Sequence, residues 1–403
     1  MYLLNHNKRS SIILLVIAIL LFVPMSYYKG IQVGESSDFD AHNRMVEFLI
    51  NDHIIKVPHF LLHLLSAIAY FLTFKQSVTL STIAIHAISY IILTYFTYVF
   101  ICKQLDGKYG QKNYFYISIL AICVVIASPI AFLAIFDEHL YFGYIALSTY
   151  HNPTIALLKP IAIVNFYLVT QIFSEENSNR NNITVIALTT VLAALAKPNY
   201  ILCAIPALIM VYSYRIIRRR QINHIQFFAG LIIPAIIIIS WQYYKSNTDA
   251  QLYSSESKII IAPFEVYKAS SSMLFEKFIL SVSFPLSICI FHWKEVKQDV
   301  YLKMAWLLFA FGTIHTYFLA ESGKRMFHGN FAWSGQITLF ILFFVSALFF
   351  VRQNAGYFIA GNCNDKAAAI SKGTTVCSVI FILHVLAGIF WYYCNFTGPR
   401  TLW

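Results

Sequence analysis

Apolar runs of about twenty residues recur along this chain, and that repetition constrains its fold more than any other feature. The runs Ser11 to Tyr28, Thr79 to Cys102 and Phe331 to Val351 are examples, each near the length a helix needs to cross a bilayer. Inside hydrocarbon, only helices and closed barrels satisfy their backbone hydrogen bonds. The runs are continuous where barrel strands would alternate polar and apolar residues. A composition of 59% hydrophobic and 12% charged residues leaves little for a soluble domain. The expectation is an all-α, polytopic helical membrane protein, with residues 1–403 forming one integral membrane domain.

Eleven crossings are expected, near 11–28, 79–102, 114–136, 154–174, 183–196, 200–214, 224–243, 277–292, 301–319, 331–351 and 374–394. The stretch 58–74 is apolar but borderline in length. Were it to cross, Arg215, Arg218, Arg219 and Arg220 would face outward, against the positive-inside tendency. It is therefore laid along the outer interface, or re-entrant, with His59 and His63 in a half-wet position. This puts the N-terminus inside, the C-terminus outside and a large first external loop with interfacial helices at 29–78. The net charge of +11 then divides as +10 inside and +1 outside, a membrane-orienting pattern that argues against nucleic acid as partner. The first run follows Lys8 and Arg9 with no small-residue cleavage site, as in a retained signal-anchor. Seven cysteines are scattered singly, without metal-like or disulfide-framework spacing.

On this threading 12 of the 18 carboxylates face outward, so any chemistry belongs on that face. The first loop carries Glu35, Asp38, Asp40, Glu47 and Asp52. From Asp38 onward, Phe39, Met45, Val46, Leu49 and Ile50 fall at helical spacing, with Ser36 or Ser37 able to cap. Asp38 and His42 share one helix face, as do Asp40 and Arg44. Such a group is either a solvated helix start, with acids at the favourable end of the dipole, or a general base with proton-handling and anion-binding neighbours. Three more external groups stand out. Tyr150-His151-Asn152-Pro153 lies at the mouth of a span, with Lys159 two turns inside and near enough to the end to snorkel. Ala196-Lys197-Pro198-Asn199 breaks two apolar runs, placing a cation on a tight corner. The loop from Ala320 to Ser334 carries Glu321, Lys324, Arg325 and His328, with Gly323 and Gly329 allowing close backbone approach. His86, His315 and His384, inside apolar runs, read as inter-helix partners.

In layout the chain resembles the GT-C superfamily of polytopic glycosyltransferases, in particular the family 39-like enzymes that use polyprenyl-phosphate sugars. The resemblance covers residues 1 to about 220, together with the His328-Gly329-Asn330 loop. It rests on one span, an external loop with an Asp-bearing helix, the Pro-led Pro58-His59 segment, a basic cytoplasmic turn at 102–112, and the Ala196-Lys197-Pro198 hairpin. The chain departs from the family in its Asp38-Phe39-Asp40 acidic pair, its single proline and the lack of a soluble C-terminal domain.

The resemblance implies an inverting sugar transfer from a polyprenyl-phosphate donor to a glycan or lipid acceptor at the external face. Asp38, or else Asp40, would be the base, with His42 beside it. Lys197, Lys324, Arg325 and His328 would hold the donor phosphate, and Arg44, His59, His151, Asn152 and Glu321 would contact substrate. Some family members use a divalent cation such as Mg or Mn, and Asp38, Asp40 and Glu321 are the residues that could bind one. The Ile-, Lys- and Asn-rich wording suggests an AT-rich bacterial genome and hence a plasma membrane. The rival readings are a surface-polysaccharide polymerase, which would rely on external arginines, and a lipid-linked glycan transporter or flippase, which should show internal repeats and mid-membrane charges.

Overall fold

The computed structural model of the chain describes residues 8–32, 38–105, 113–137, 141–174, 183–248, 258–355 and 371–397. Its helices are α1 (Lys8–Ile31), α2 (Phe39–Asn51), α3 (Leu61–Leu72), α4 (Val78–Gln104), α5 (Asn113–Ile126), α6 (Ala134–Asp137), α7 (Pro153–Gln171) and α8 (Ile183–Ala196). There follow α9 (Asn199–Ile217), α10 (Gln226–Thr248, its first turns π-helical), α11 (Glu265–Lys268), α12 (Leu274–Phe291), α13 (Trp293–Val296), α14 (Val300–Phe318), α15 (Ala332–Gln353) and α16 (Lys372–Thr397). The chain is a multi-pass helical membrane protein in outline: eight of the described helical stretches are long and apolar enough to cross a bilayer.

Three expected crossings fall short of that standard. α8 has 14 residues, about 21 Å at 1.5 Å per residue, against a hydrocarbon core of about 30 Å. The crossing expected at 114–136 is interrupted: α5 stops at Ile126 and the chain runs on without regular structure. α14 has the expected position, but Lys303, Thr313, His315 and Thr316 lower its apolarity. The 12-residue α3 is too short to cross, in keeping with an interfacial or re-entrant place. Beside the helices lies one short antiparallel ribbon of β1 (Ile259–Ile261) and β2 (Leu319–Glu321).

α15 is the central helix, buried along almost all of its length from Ser334 to Val351. Gly312 of α14 lets it approach: a Cβ there would meet Thr338 and the Ser334 carbonyl. Side-chain bonds inside the bundle pair the three apolar-run histidines as expected. His86 Nδ1 meets Ser26 Oγ at 2.7 Å, His315 meets Cys203 Sγ at 3.5 Å, and His384 bridges the Ser128 carbonyl and Ser283 Oγ.

One end of the bundle collects the short elements. Tyr28 donates to the Phe396 carbonyl (2.9 Å), tying the last turns of α1 and α16 together. Gln242 near the end of α10 donates to the carbonyls of Pro58 and Ala194. α2 packs here by Phe39, Asn43 and Val46, the stripe its amphipathic spacing predicts.

Between α6 and α7 the chain from 143 to 150 is buried without being helical. Non-helical backbone survives at membrane depth only where protein groups satisfy it. Three successive carbonyls are satisfied in that way. Lys159 donates to Leu147 (2.6 Å), Tyr141 and Trp391 to Ser148, and Tyr90 to Thr149. Lys159 therefore does not snorkel. It is 1% exposed, turned into the protein, with its ammonium over the Phe340 ring.

Candidate functional site

The buried segment delivers His151 and Asn152 to the end of the bundle where α2 lies. Asn152 caps α7: its Oδ1 accepts from the Ile155 amide at 3.0 Å and from the Thr154 hydroxyl at 2.7 Å, with Pro153 at the first helical position. Its free amide hydrogens then point away from α7, and Nδ2 donates to Asp38 Oδ2 at 2.5 Å. Asp38 stands at the N-cap of α2, where an aspartate ordinarily bonds its own helix. Its carboxylate makes no cap bond and turns to Asn152. That is not the geometry of a solvated helix start.

Lys197, on the corner between α8 and α9, completes a relay. Its Nζ donates to Thr154 Oγ1 (3.1 Å), Thr154 donates to Asn152, and Asn152 donates to Asp38. The ammonium also lies 4.4 Å from the centre of the Trp333 ring, which His151 flanks at 5.8 Å. Burial pushes the Lys197 pKa down to about 8, and the Asp38 charge opposes that shift.

Four histidines border this pair. His42 Nδ1 and His63 Nε2 are 3.0 Å apart. Burial holds His42 well below its ordinary pKa, and His63, His59 and Lys197 push the same way. Burial likewise lowers His59 to about 3, with Lys197 and His63 contributing, and His63 to about 4. In His151 burial also lowers the pKa, with Asp38 opposing and Lys29 and Lys197 reinforcing. At neutral pH these imidazoles are uncharged: they offer hydrogen bonds, not positive charge.

This sets a stability dependence on pH. Each of these bases has a folded pKa below its unfolded value near 6.5, so the unfolded chain binds more protons between the two. Stability is then complete above about pH 7 and lost progressively as the pH falls from 6.5 toward 4. We expect a loss of about 2–4 kcal/mol over that window, read as a falling thermal midpoint of the detergent-solubilised protein. Between pH 7 and 5, above most carboxylate titration, the slope should fall by about half in a His42→Gln/His63→Gln variant, which removes two of the four neutral imidazoles. A parent midpoint unchanged between pH 7 and 5 would contradict the neutral cluster.

The 320–334 loop forms the next wall. Glu321 accepts from Asn330 Nδ2 (2.7 Å) and pairs with Arg325 (3.2 Å). Asn199 of the Lys197 corner donates to the Asn330 carbonyl and to Ser334 Oγ. Lys324 and His328, on a 3-10 turn between Gly323 and Gly329, are exposed. Both glycines have positive φ (70° and 64°), which the turn requires, and no close neighbour crowds either of them.

Of the expected site residues, Asp38, His42, His59, His151, Asn152 and Lys197 gather in one cluster. Glu321 and Arg325 join it through Asn330 and Asn199. Asp40 lies about 200° round α2 from Asp38, and Arg44, on the Asp40 face, is exposed. Asp38 and Glu321 are committed to amide partners, and among the described residues no group of three or more His, Cys, Asp or Glu side chains is arranged to hold a metal ion. Glu35, Ser36 and Ser37 lie outside the described residues. Sequence reasoning missed Thr154, His63 and Trp333 as site members. Thr154 and Trp333 have no spacing signal, while His63 could have been found at one helical turn from His59. The chain matches no known protein-family model, no curated protein and no solved structure.

Proposed function

We propose that this chain is a membrane glycosyltransferase that moves a sugar from a polyprenyl-phosphate donor to a glycan or lipid acceptor of the cell envelope. The observation that carries the reading is the relay Asp38–Asn152–Thr154–Lys197. It sets a fixed carboxylate and a buried cation a few side chains apart. In an inverting transfer, the Asp38 carboxylate takes the proton of the acceptor hydroxyl as that oxygen attacks the anomeric carbon. The bond from that carbon to the phosphate oxygen breaks on the opposite side, and the lipid phosphate leaves with the electron pair. Lys197 stands ready to stabilise the developing phosphate charge, and the exposed Lys324 and His328 are free to approach it. The neutral imidazoles and the Asn152 amide suit sugar hydroxyls, which need uncharged donors and acceptors.

With this activity goes the finer topology: eleven crossings in a bacterial plasma membrane, N-terminus cytoplasmic, with the Asp38 end facing outward. The marginal α5, α8 and α14 would then cross by packing against their neighbours. Removing the gene from its host is the direct test. Cell-surface glycan should lose one sugar substituent while the lipid-phosphate form of that sugar accumulates, and the intact gene should restore both. An unchanged glycan profile with no lipid-linked sugar accumulating would end this reading.

A further inference from the structure

The β1–β2 ribbon places two large apolar side chains where a water-exposed connection should be polar. Ile259 is 69% exposed and Ile261 is 80% exposed, while Ile260 between them is partly buried. Alternation along a strand puts Ile259 and Ile261 on the same outward face. An outward apolar face on an edge strand calls for an explanation.

The ribbon's position suggests what covers it. β2 begins at the residue after α14 ends, and Ile261 pairs with Leu319, the first residue beyond the helix. Ala262 and Phe264 donate backbone bonds to the carbonyls of Phe318 and Tyr317 in the last turn of α14. Rings gather at that level, with Phe264 against Tyr317 and Phe318, and Tyr267 against Tyr317. Phe275, in the first turn of α12, is 72% exposed, and Phe327 of the 3-10 turn is 64% exposed. Aromatic rings at helix ends mark the membrane–water boundary. Exposed Lys258, Lys268 and Lys324 accompany these apolar groups, as cations that lay their stems on apolar surface and reach lipid phosphates do.

We infer that the β1–β2 ribbon is a lipid-binding hook: Ile259 and Ile261 insert into the interface of the bilayer at this end of the bundle, with Lys258, Lys268 and Lys324 at the level of the phosphates. The inference rests on α14 lying in the membrane and is independent of any sugar transfer. It also gives the ribbon a purpose. Glu321, which pairs with Ile259 across the ribbon, holds Asn330 and through it the Lys197 corner. The wall of the candidate site is thereby moored to the lipid surface.

The register predicts a depth order. A strand advances about 3.4 Å per residue, so Ile261, next to the end of α14, lies deepest, then Ile259, then Lys258. Nitroxide labels on Ile261→Cys, Ile259→Cys and Lys258→Cys in the full chain, reconstituted in phosphatidylcholine vesicles with the labelled parent's spectrum subtracted, read that order. Collision with oxygen relative to a water-soluble nickel chelate should be several-fold higher at 261 than at 258, with 259 between. Equal, water-like ratios at all three sites would overturn the inference. The unmodified chain gives a second reading that no substitution can disturb. A phosphatidylcholine with a photoreactive diazirine in its upper acyl chain should leave adducts on the 258–268 peptide. Adducts on α12 and α16 but none on that peptide would equally overturn it.

Discussion

Asp38→Asn should cut sugar transfer by about two to four orders of magnitude, the usual contribution of a positioned general base, at unchanged abundance in the membrane. Asparagine has the size of aspartate, and its oxygen can still accept from Asn152, so the cap of α7 and the Lys197 relay survive. It cannot take a proton. The loss should therefore appear in turnover more than in apparent donor affinity, and the lipid-linked sugar should accumulate as the surface glycan loses its substituent. Asp40→Asn is the matched control, two positions along the same helix but turned away from the Asn152 relay. It should keep the rate within about two-fold, the range of a surface charge change. Transfer would be timed in membranes, with the protein level set equal by blot. If Asp40→Asn is the dead variant and Asp38→Asn is active, the base has been misassigned. If both are active, the acidic pair is a helix start and nothing more.

How far the sequence could have led to this site depends on the kind of signal each residue leaves. Helices such as α4, α7, α9 and α15 announce themselves because a membrane span is a one-dimensional pattern, and their positions match expectation within a few residues. The end of α5 at Ile126 does not, because the residues beyond it remain apolar while their backbone leaves the helix. What holds that segment is the Ser148 hydroxyl on the Val125 and Ala127 carbonyls and His384 of α16 against the Ser128 carbonyl, a long-range arrangement with no local mark. Lys159 shows the same limit. Its place near a helix end suggested snorkelling, whereas the chain folds a carbonyl over it. Asp38 and Asp40 are nearly equivalent as letters. Only the arrival of Asn152 from a different loop separates them. The histidines were visible as candidates, but their neutrality follows from burial beside Lys197, which only packing reveals. Trp333 was hidden for the opposite reason: a tryptophan at the mouth of a span needs no special explanation until a lysine is found over its ring.

Lys277→Met should cost about 3–5 kcal/mol, the price of stranding one member of a buried ion pair. The Lys277 side chain is fully buried at the first turn of α12, its ammonium 2.6 Å from Asp137, itself 9% exposed. The same nitrogen donates to the Phe142 carbonyl at 2.6 Å, and Ser271 donates to Asp137 at 2.5 Å. Methionine fills the space but takes the ammonium away from both the Asp137 carboxylate and the Phe142 carbonyl. The thermal midpoint in detergent should fall by about 4–6 °C. The double variant Lys277→Met/Asp137→Leu removes both charges and should recover about half of that fall. The remainder reflects the donor that the Phe142 carbonyl loses. At the opposite end, Arg352 also pairs with an aspartate, Asp299, but is 40% exposed. Arg352→Met should cost less, about 1–2 kcal/mol, because Asp299, itself 6% exposed, keeps its cap bond from the Leu302 amide while the Arg352 head already stands in water. Equal losses in Lys277→Met and Arg352→Met would mean that burial does not govern these pairs. A double variant worse than Lys277→Met would mean that Asp137 has a stabilising role of its own. The distinction reaches the site, because Ile145, a few residues beyond Phe142, donates to Ser281 one turn along α12. The buried segment thus leaves this anchor already aligned, and seven residues later it presents Asn152 to Asp38.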